Sequence, residues 1–158
     1  MRFVCDEMLK RLGHWLRVAG YDVLILPDGS DDRALIEHAC NEQRLLLSSD
    51  RRLAEHKGAA DWLVSLDCQG LDDCVAALSR QLPVDWLYRP FSRCMLCNTP
   101  LRYASPGQLQ RVPTAARRQA SLVRYCPTCD QLFWDGSHVQ RMRERLQHWN
   151  RLTGPASN

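Results

Sequence analysis

Features that would place a protein in a membrane or outside the cell are missing from this sequence. No apolar run approaches the roughly 18 residues that are needed to cross a bilayer. Acids at Asp6 and Glu7 come too early for a secretory signal, and no long apolar segment follows them. The sequence therefore predicts a cytoplasmic protein with no membrane association. In that reducing compartment, the eight cysteines favour metal binding over disulfide bonds.

Lysine and acidic residues are scarce in the C-terminal part of the chain. Residues 91–158 contain ten arginines, no lysine and three acids, a net charge of +7, whereas residues 1–90 carry a net charge of −4. Four thiolates holding one Zn²⁺ would lower the C-terminal charge by about two. Because arginine binds phosphate in a bidentate geometry, this cluster indicates a partner that carries phosphates. A solvated basic surface is the alternative.

Short apolar runs alternate with helical patterns over the first two-thirds of the chain. Such alternation is typical of an α/β fold in which helices cover a parallel sheet. From Pro83 onward, prolines interrupt the chain and the apolar periodicity is weak. It returns in a predicted final helix near Ser137, with Val139, Met142, Leu146 and Trp149 as its apolar stripe. The predicted strands are residues 3–5, 23–26, 45–47 and 62–66, and the predicted helices lie within residues 8–19, 35–40 and 71–82, with a short helical stretch at 51–57.

Acidic residues follow each predicted strand. Because the carboxyl ends of parallel strands meet at one edge of a sheet, these acids are expected to gather there. Carboxylates that gather repel one another unless a cation lies between them, and all-oxygen ligands suit Mg²⁺ or Mn²⁺. Asp is also a favoured helix N-cap, so capping is the alternative for each of them. The acids are Asp6 after the first strand, Asp28, Asp31 and Asp32 after the second, Asp50 after the third and Asp67 after the fourth.

The opening run of the chain supports the metal-site interpretation. Residues 3–22, FVCDEMLKRLGHWLRVAGYD, resemble the start of the Mut7-C RNase family, a branch of the PIN-like nucleases. The similarity continues through residues 32–35 and 44–50 and resumes at the cysteines. The resemblance implies a PIN-like α/β/α fold with a C-terminal zinc ribbon. It also implies RNA cleavage with Mg²⁺ or Mn²⁺ held by carboxylates.

The resemblance assigns roles to individual positions. Asp6 matches the acid of the first strand, Asp32 the acid before the second helix, with Asp31 as the alternative, and Asp50 the acid after the third strand. Ser48 takes a position where the family usually has Thr, which keeps a hydroxyl and implies a contact with the substrate.

The chain departs from the family pattern at the fourth acid, which is not clearly marked. Asp67 is the candidate by position and Asp72 is the next. If this acid is absent, a second metal ion is expected to bind poorly, and catalysis to be slow or lost.

The first helix has a basic side away from its apolar stripe, formed by Lys10, Arg11, His14 and Arg17. Arg11 also matches a residue that is typical of the family's opening run, so it is predicted to contact RNA phosphates. A solvent-exposed basic face is the alternative, above all for Lys10 and Arg17. His14 is predicted to be a surface residue.

Two Cys-x-x-Cys motifs are the most specific feature of the sequence. Cys94 and Cys97 form one, Cys126 and Cys129 form the other, and 28 residues separate them. Two facing motifs of this kind complete a tetrahedral, closed and therefore structural Zn²⁺ site. The gap exceeds the usual roughly 15–20 residues, which predicts an extended hairpin or loop. A redox motif or a disulfide pair is the alternative.

The other four cysteines, Cys5, Cys40, Cys68 and Cys74, show no ligand spacing and are predicted to be small buried apolar side chains. Trp134 and His138 lie in a run that also resembles the family. Trp134 is predicted to pack the ribbon against the final helix, with base stacking as the alternative, and His138 to make a structural hydrogen bond.

Arginines between the two cysteine motifs are predicted to bind RNA. Arg117, Arg118 and Arg124 lie there with Tyr103 and Tyr125 nearby, and arginine with aromatic residues suits single-stranded nucleic acid. DNA is a possible partner as well. The oligomeric state is not specified by the sequence.

The sequence therefore predicts a PIN-like nuclease domain at 1–88, a zinc ribbon with the final helix at 89–152, and a frayed tail at 153–158. The predicted function is a Mg²⁺- or Mn²⁺-dependent ribonuclease acting on single-stranded or loop RNA. Two alternatives remain: a catalytically weak or inactive PIN-like protein that binds RNA, and an adaptor that binds an acidic protein.

Overall fold

A four-stranded parallel sheet lies at the centre of the N-terminal part. The computed structural model describes residues 1–56 and 58–153. The strands are β1 (Arg2–Cys5), β2 (Asp22–Ile25), β3 (Leu45–Ser48) and β4 (Leu63–Ser65), in the order β2-β1-β3-β4. All three pairings are parallel, which confirms the predicted α/β class.

Helices cover both faces of this sheet. The three long ones are α1 (Lys10–Ala19), α2 (Asp32–Glu42) and α3 (Leu71–Gln81). Residues of α1 and α3 pack in one buried cluster with Phe3, while residues of α2 pack in a second cluster with Val4. Adjacent residues of a strand point to opposite faces, so β1 contributes to both clusters.

Gly20 ends α1 at the position predicted from the sequence. Its φ of 102° is left-handed, and a Cβ at this position would lie 2.3 Å from the carbonyl oxygen of Arg89. Glycine is therefore required by both the backbone conformation and the close approach of the next segment.

The C-terminal part contains a small antiparallel sheet and one long helix. Strands β5 (Arg102–Tyr103), β6 (Val123–Cys126) and β7 (Gln131–Trp134) pair in that order. The predicted hairpin or loop between the cysteine motifs contains β5 and two short helices, α4 (Pro106–Leu109) and α5 (Thr114–Gln119). We call residues 89–136 the ribbon. The final helix, α6, spans Ser137–Thr153, and the rest of the predicted frayed tail, residues 154–158, lies outside the described residues.

Helix α6 packs against the N-terminal part of the chain. Trp149 contacts Trp15 of α1 edge to face, with ring centroids 4.8 Å apart, and Trp86 with centroids 5.2 Å apart. Met142, Leu146 and Trp149 belong to the same buried cluster as β1, α1 and α3. The final helix was predicted to belong with the ribbon, whereas its buried side chains join the core of the N-terminal part. The predicted boundary between residues 88 and 89 stays a prediction.

The first cysteine motif docks at the amino end of β2. Asn98 accepts a hydrogen bond from the backbone N–H of Val23 (3.0 Å) and donates one to Asp22 (2.7 Å). The guanidinium of Arg17 donates to the carbonyl oxygens of Val23, Met95 and Leu96. Arg17 is only 4% exposed, so its predicted place on an exposed basic face is wrong. The ribbon covers it, and a local helical pattern contains no information about that contact.

A disulfide bond joins Cys68 and Cys74. The prediction that this pair consists of free apolar side chains is therefore wrong. The bond fastens the loop after β4 to α3. A separation of six residues matches no known ligand motif, and only the turn at the start of α3 brings the two sulfurs together. Cys5 is fully buried, as predicted, while Cys40 is only partly buried.

Among the described residues, no helix combines the length and apolar character that a membrane span requires.

Candidate functional site

Three of the predicted acids line one cleft at the carboxyl edge of the parallel sheet. Asp6 follows β1 directly, Asp50 follows β3 by two residues, and Asp32 is the first residue of α2, after β2. They line a cavity of about 100 Å³ together with Glu7 and Ser30. We call this the acid cleft. The three acids reach the same cleft because β1 lies between β2 and β3 in the sheet.

Ser48 organises two of these acids. Its hydroxyl donates a short hydrogen bond to Oδ2 of Asp6 and accepts one from the backbone N–H of Asp50 (2.9 Å). Oδ1 of Asp6 accepts from the backbone N–H of Leu9 (3.1 Å). Asp6 is 7% exposed and Ser48 is fully buried. The resemblance implied that Ser48 contacts the substrate, but the side chain is buried and its hydroxyl is engaged by Asp6 and by the backbone of Asp50.

Asp31 and Asp32 have different roles. The carboxylate of Asp31 accepts a hydrogen bond from the backbone N–H of Ala34 (2.7 Å), so Asp31 is the N-cap of α2. Asp32 is 44% exposed, lies 3.8 Å from the imidazole of His56 and lines the acid cleft. Capping thus accounts for Asp31, and the neighbouring Asp32 has its carboxylate available at the cleft.

The acid cleft offers the oxygen ligands that a hard divalent cation prefers. A carboxylate has about four lone-pair positions, and the two hydrogen bonds on Asp6 leave about two of them free. Within the described part of the chain, the acid oxygens are not gathered within 4.8 Å of one another, unlike the sulfurs of the four-cysteine group. Mg²⁺ usually retains several waters and binds only one or two carboxylates directly. A cleft of about 100 Å³ has room for an ion with part of its water shell.

Cys5 lies directly before Asp6 but is not a ligand. Burial, and then the neighbouring negative charge of Asp6, raises the pKa of the Cys5 thiol well above its usual value. The Cys5 side chain belongs to the buried cluster with α1 and lies beside Gly13, whereas the apolar residues of the acid cleft, Leu35 and Leu53, belong to the other cluster. A metal ion in the cleft would therefore be bound by oxygen atoms alone.

Two residues of the cleft were not predicted from the sequence. Glu7 lies at its edge, and its carboxylate accepts a hydrogen bond from the backbone N–H of Gly29 (2.8 Å). Ser30 lies in the same loop after β2, and its hydroxyl donates to the carbonyl of Pro27 (2.7 Å). The sequence could have indicated Glu7 as a residue of the cleft, because it directly follows Asp6. Ser30 has no sequence signal, because only the path of the loop brings it to the cleft.

The two candidates for a fourth acid lie outside the cleft. Asp67 is 86% exposed and pairs with Arg51 (2.8 Å). Asp72 pairs with Arg145 (3.0 Å) and accepts a hydrogen bond from the indole N–H of Trp149 (2.8 Å), which ties α3 to α6. The hydrogen bond from Arg145 is the main reason that the pKa of Asp72 is lowered.

The basic residues of α1 are placed differently from one another. Arg11 is exposed and lines a second cavity of about 180 Å³ with Met8 and Ser49, next to the acid cleft. Lys10 pairs with Asp28 (2.9 Å). His14 is half-buried, and burial followed by the nearby charges of Arg17 and Lys10 lowers its pKa. Arg11 therefore remains the residue of α1 that is available to a ligand at this edge.

The four cysteines of the two motifs form one cluster in the ribbon. Their sulfurs all lie within 4.8 Å of one another, with 3.9 Å between Cys94 and Cys129 and 3.4 Å between Cys97 and Cys126. Tetrahedral coordination with Zn–S distances of about 2.3 Å requires sulfurs about 3.8 Å apart. None of the four is in a disulfide. The cluster therefore fits a closed tetrahedral metal site and excludes the alternative of a disulfide pair.

The thiols of the cluster differ in acidity: burial raises the pKa of Cys94, and hydrogen bonding with Cys97 raises the pKa of Cys129 to about 12. Burial raises the pKa of Cys97, but hydrogen bonding with the side chain and backbone of Thr99 outweighs it and brings the pKa to about 6.

The predicted RNA-binding residues of the ribbon lie on its surface. Arg117 and Arg118 are exposed on α5. The docking of the first cysteine motif on Val23 and Asp22 attaches the ribbon at the amino edge of the sheet, opposite the acid cleft. Trp134 and His138 line a cavity between the ribbon and α6, and the packing of Trp134 against that helix stays a prediction.

Comparisons with known proteins agree with these features. A family model described as the Mut7-C RNAse domain matches residues 1–146. A human protein described as "Exonuclease mut-7 homolog" is 35% identical over 102 residues, which are 61% of this chain and 12% of the human protein. The chain thus spans a small part of that relative's length. A comparison with solved structures found no match. Because the family match covers the acid cleft and both cysteine motifs, this chain belongs to the Mut7-C RNAse domain family.

Proposed function

We propose that this protein is a Mg²⁺- or Mn²⁺-dependent ribonuclease that hydrolyses single-stranded or loop RNA at the acid cleft. The observation that carries the proposal is the convergence of Asp6, Asp32 and Asp50 on one cleft at the carboxyl edge of the sheet. Membership of the Mut7-C RNAse domain family and the name of the human relative support it. Hydrolysis of DNA at the same site is chemically equivalent and is tested by the same assay.

Different residues at the cleft bind the cation and orient the RNA. Asp6, Asp32 and Asp50 would hold the ion, which when bound supplies an activated water and stabilises the charge on the phosphodiester. Ser48 fixes Asp6 in one orientation, so its carboxylate does not need to reorganise during the reaction. Arg11, exposed beside the cleft, binds a phosphate of the strand and keeps it in place.

Cleavage of a labelled RNA tests the proposal. With Mn²⁺ present, we expect Asp6→Asn and Asp50→Asn each to lower the rate by about 100-fold or more, since even residues that only orient metal ligands contribute about 10- to 100-fold. Asp61→Asn is a matched control, because Asp61 is exposed at the amino end of β4, away from the cleft. Undiminished cutting by a pure Asp6→Asn, Asp50→Asn double variant would refute the mechanism.

We propose further that the four-cysteine cluster holds one structural Zn²⁺. The sulfur separations and the burial of Cys94 and Cys126 support it. Metal analysis should find one zinc per chain in the wild type and a loss of that zinc in Cys94→Ser. Cys40→Ser is the control, since Cys40 lies outside the cluster. A reducing compartment such as the cytoplasm would keep these thiolates available for the metal and would also favour the reduced form of the Cys68–Cys74 pair.

A second candidate function is an RNA-binding protein with little or no nuclease activity. The position of Asp67 favours it, because this candidate fourth acid pairs with Arg51 outside the cleft. Such a protein would bind RNA in a strongly salt-dependent manner but leave it intact in Mg²⁺ and Mn²⁺. Binding without cleavage in the same assay would select this function.

A further inference from the structure

A third cavity, larger than the acid cleft and the cavity beside it, lies between the ribbon and α6, at the end of α1 away from the acid cleft. Its volume is about 360 Å³, within the range of roughly 300–1,000 Å³ that is usual for ligand pockets. Phe91, Met95, Leu122 and Phe133 contribute to its apolar walls. We call it the ribbon cavity. Its size and its apolar lining suit a flat, largely apolar group.

Positive charge surrounds this apolar space. Arg93, Arg124 and Arg143 line the cavity. The carboxylate of Asp135 also lines it but already accepts hydrogen bonds from Ser121 and from the backbone N–H of Leu122. A ligand would therefore meet a net positive charge. Of the three guanidinium groups, that of Arg93 already donates to the carbonyl oxygen of Asn98 (2.9 Å), which leaves Arg124 and Arg143 to contact the ligand. This combination complements a ligand with an apolar face and attached anions.

Phe91 gives a second, independent indication of a binding role. Its backbone has a φ of 59°, a conformation that costs a non-glycine residue roughly 1–2 kcal/mol. The guanidinium of Arg143 lies 5.0 Å from the centre of the Phe91 ring. Strained backbone of this kind is concentrated at binding sites. The strain keeps an aromatic ring and a cation together at the wall of the cavity.

We propose that the ribbon cavity binds one unpaired nucleotide of a single-stranded RNA, with the base against Phe91 and Phe133 and the flanking phosphates on Arg124 and Arg143. Bases stack on aromatic rings whatever their sequence, and arginines bind the backbone phosphates. The inference rests on the proposed function, because it assigns a second contact to the same RNA. An acidic peptide would satisfy the arginines but would leave the aromatic walls without a stacking partner.

The position of the cavity predicts how long that RNA must be. Val18 lines the cavity, and Lys10, which pairs with Asp28 in the loop after β2, begins the same helix. Eight residues of α1 therefore set these two ends about 12 Å apart along the helix axis. With a rise of roughly 3.4 Å per nucleotide along the axis of a stacked strand, at least about four nucleotides are needed to reach both. Cleavage of shorter RNA should be insensitive to changes in the cavity.

Binding of a fluorescent RNA of about 12 nucleotides to the full zinc-loaded chain, without added Mg²⁺ or Mn²⁺, tests the proposal separately from cleavage. We expect an Arg124→Met, Arg143→Met double variant to bind at least about tenfold more weakly. Phe91→Gly, which suits the positive φ, should bind at least about fivefold more weakly. The matched control is Arg141→Met, Arg151→Met, which removes the same charge from exposed positions of α6 outside the cavity.

The outcomes separate a base site from a diffuse basic surface. Inorganic polyphosphate, which has no bases, should bind equally well to Phe91→Gly and to wild type. Leu122→Trp fills the cavity from its rim and provides a second test if Phe91→Gly loses its zinc or unfolds. Wild-type RNA affinity in Phe91→Gly and Leu122→Trp, or an equal loss in the control variant, would overturn the proposal, as would equal competition by a polyglutamate peptide. A chain that binds RNA as predicted but never cuts it would uphold this inference and refute the proposed function.

Discussion

Asn98 connects the ribbon to the sheet through contacts that can be removed one residue at a time. Its side-chain oxygen accepts from the N–H of Val23 and its amide donates to Asp22. Its own φ is 69°. Replacement by alanine removes both hydrogen bonds and keeps an unfavourable backbone conformation.

The expected loss follows from these contacts. A neutral hydrogen bond contributes about 0.5–1.5 kcal/mol, and one to a charged group about 1.5–3 kcal/mol. Alanine at a positive φ adds roughly 1 kcal/mol. We therefore expect Asn98→Ala to lower the free energy of unfolding by about 3–5 kcal/mol, a large part of the roughly 5–15 kcal/mol of a typical domain. At about 2–4 °C per kcal/mol for a chain of this length, Tm should fall by at least 6 °C or so.

Urea unfolding followed by tryptophan fluorescence measures this change. Asn98→Gly loses the same hydrogen bonds but adopts the positive φ freely, so it should be less destabilised than Asn98→Ala by up to about 1 kcal/mol. Asn41→Ala on the exposed surface of α2 is the control and should change stability by no more than about 0.5 kcal/mol. Hydrogen exchange at Val23 should become faster in both Asn98 variants. If Asn98→Ala unfolded like the wild type, the docking of the ribbon through this residue would be refuted.

Three further predictions follow from the structure. Because the Ser48 hydroxyl positions Asp6, Ser48→Ala should lower RNA cleavage by about 10- to 100-fold and raise the Mn²⁺ concentration needed for half the maximal rate. Ser48→Thr keeps the hydroxyl and should restore both. An unchanged Mn²⁺ requirement in Ser48→Ala would show a merely structural role. Burial raises the pKa of Asp22, but hydrogen bonds from Arg44 and Asn98 outweigh it and hold that pKa below its usual value. The contribution of the Asp22 carboxylate to stability is therefore present above the unfolded pKa of about 3.9 and is lost as pH falls through the lower folded pKa. Wild type should therefore lose more stability below about pH 4 than Asp22→Asn does. Equal pH dependence in the two proteins would contradict this. Reduction of the Cys68–Cys74 disulfide, whose residues are six positions apart, should lower the free energy of unfolding by about 2 kcal/mol. The double variant Cys68→Ser, Cys74→Ser should not respond to reductant.

Local sequence patterns predicted the elements and the edge at which the acids meet. Residues 45–47 read as a buried strand because their side chains are apolar without interruption, and β3 spans Leu45–Ser48. Asp6 and Asp50 follow their strands in the sequence, so the parallel topology alone brings them to one edge. The cysteine motifs similarly encode their own turns, and their four sulfurs converge as predicted.

Contacts between distant segments were not predictable in this way. Arg17 has the helical position of an exposed residue, yet the ribbon buries it against carbonyl oxygens of residues 95 and 96. The apolar stripe of α6 was recognised, but a stripe does not specify its partner, and Trp149 packs on Trp15 and Trp86. The role of Ser48 also depends on the pairing of β1 with β3, which sets its hydroxyl beside Asp6.

The central claim is that the acid cleft is a divalent-cation site. A crystal structure of the wild-type protein grown with Mn²⁺, measured with anomalous scattering at the manganese and zinc edges, tests it most directly. We predict a manganese peak bound, directly or through water, by Asp6, Asp32 and Asp50, and a zinc peak among Cys94, Cys97, Cys126 and Cys129 as the internal control. A clear zinc peak with no manganese in the acid cleft, or with the three carboxylates too far apart to share an ion, would contradict the account.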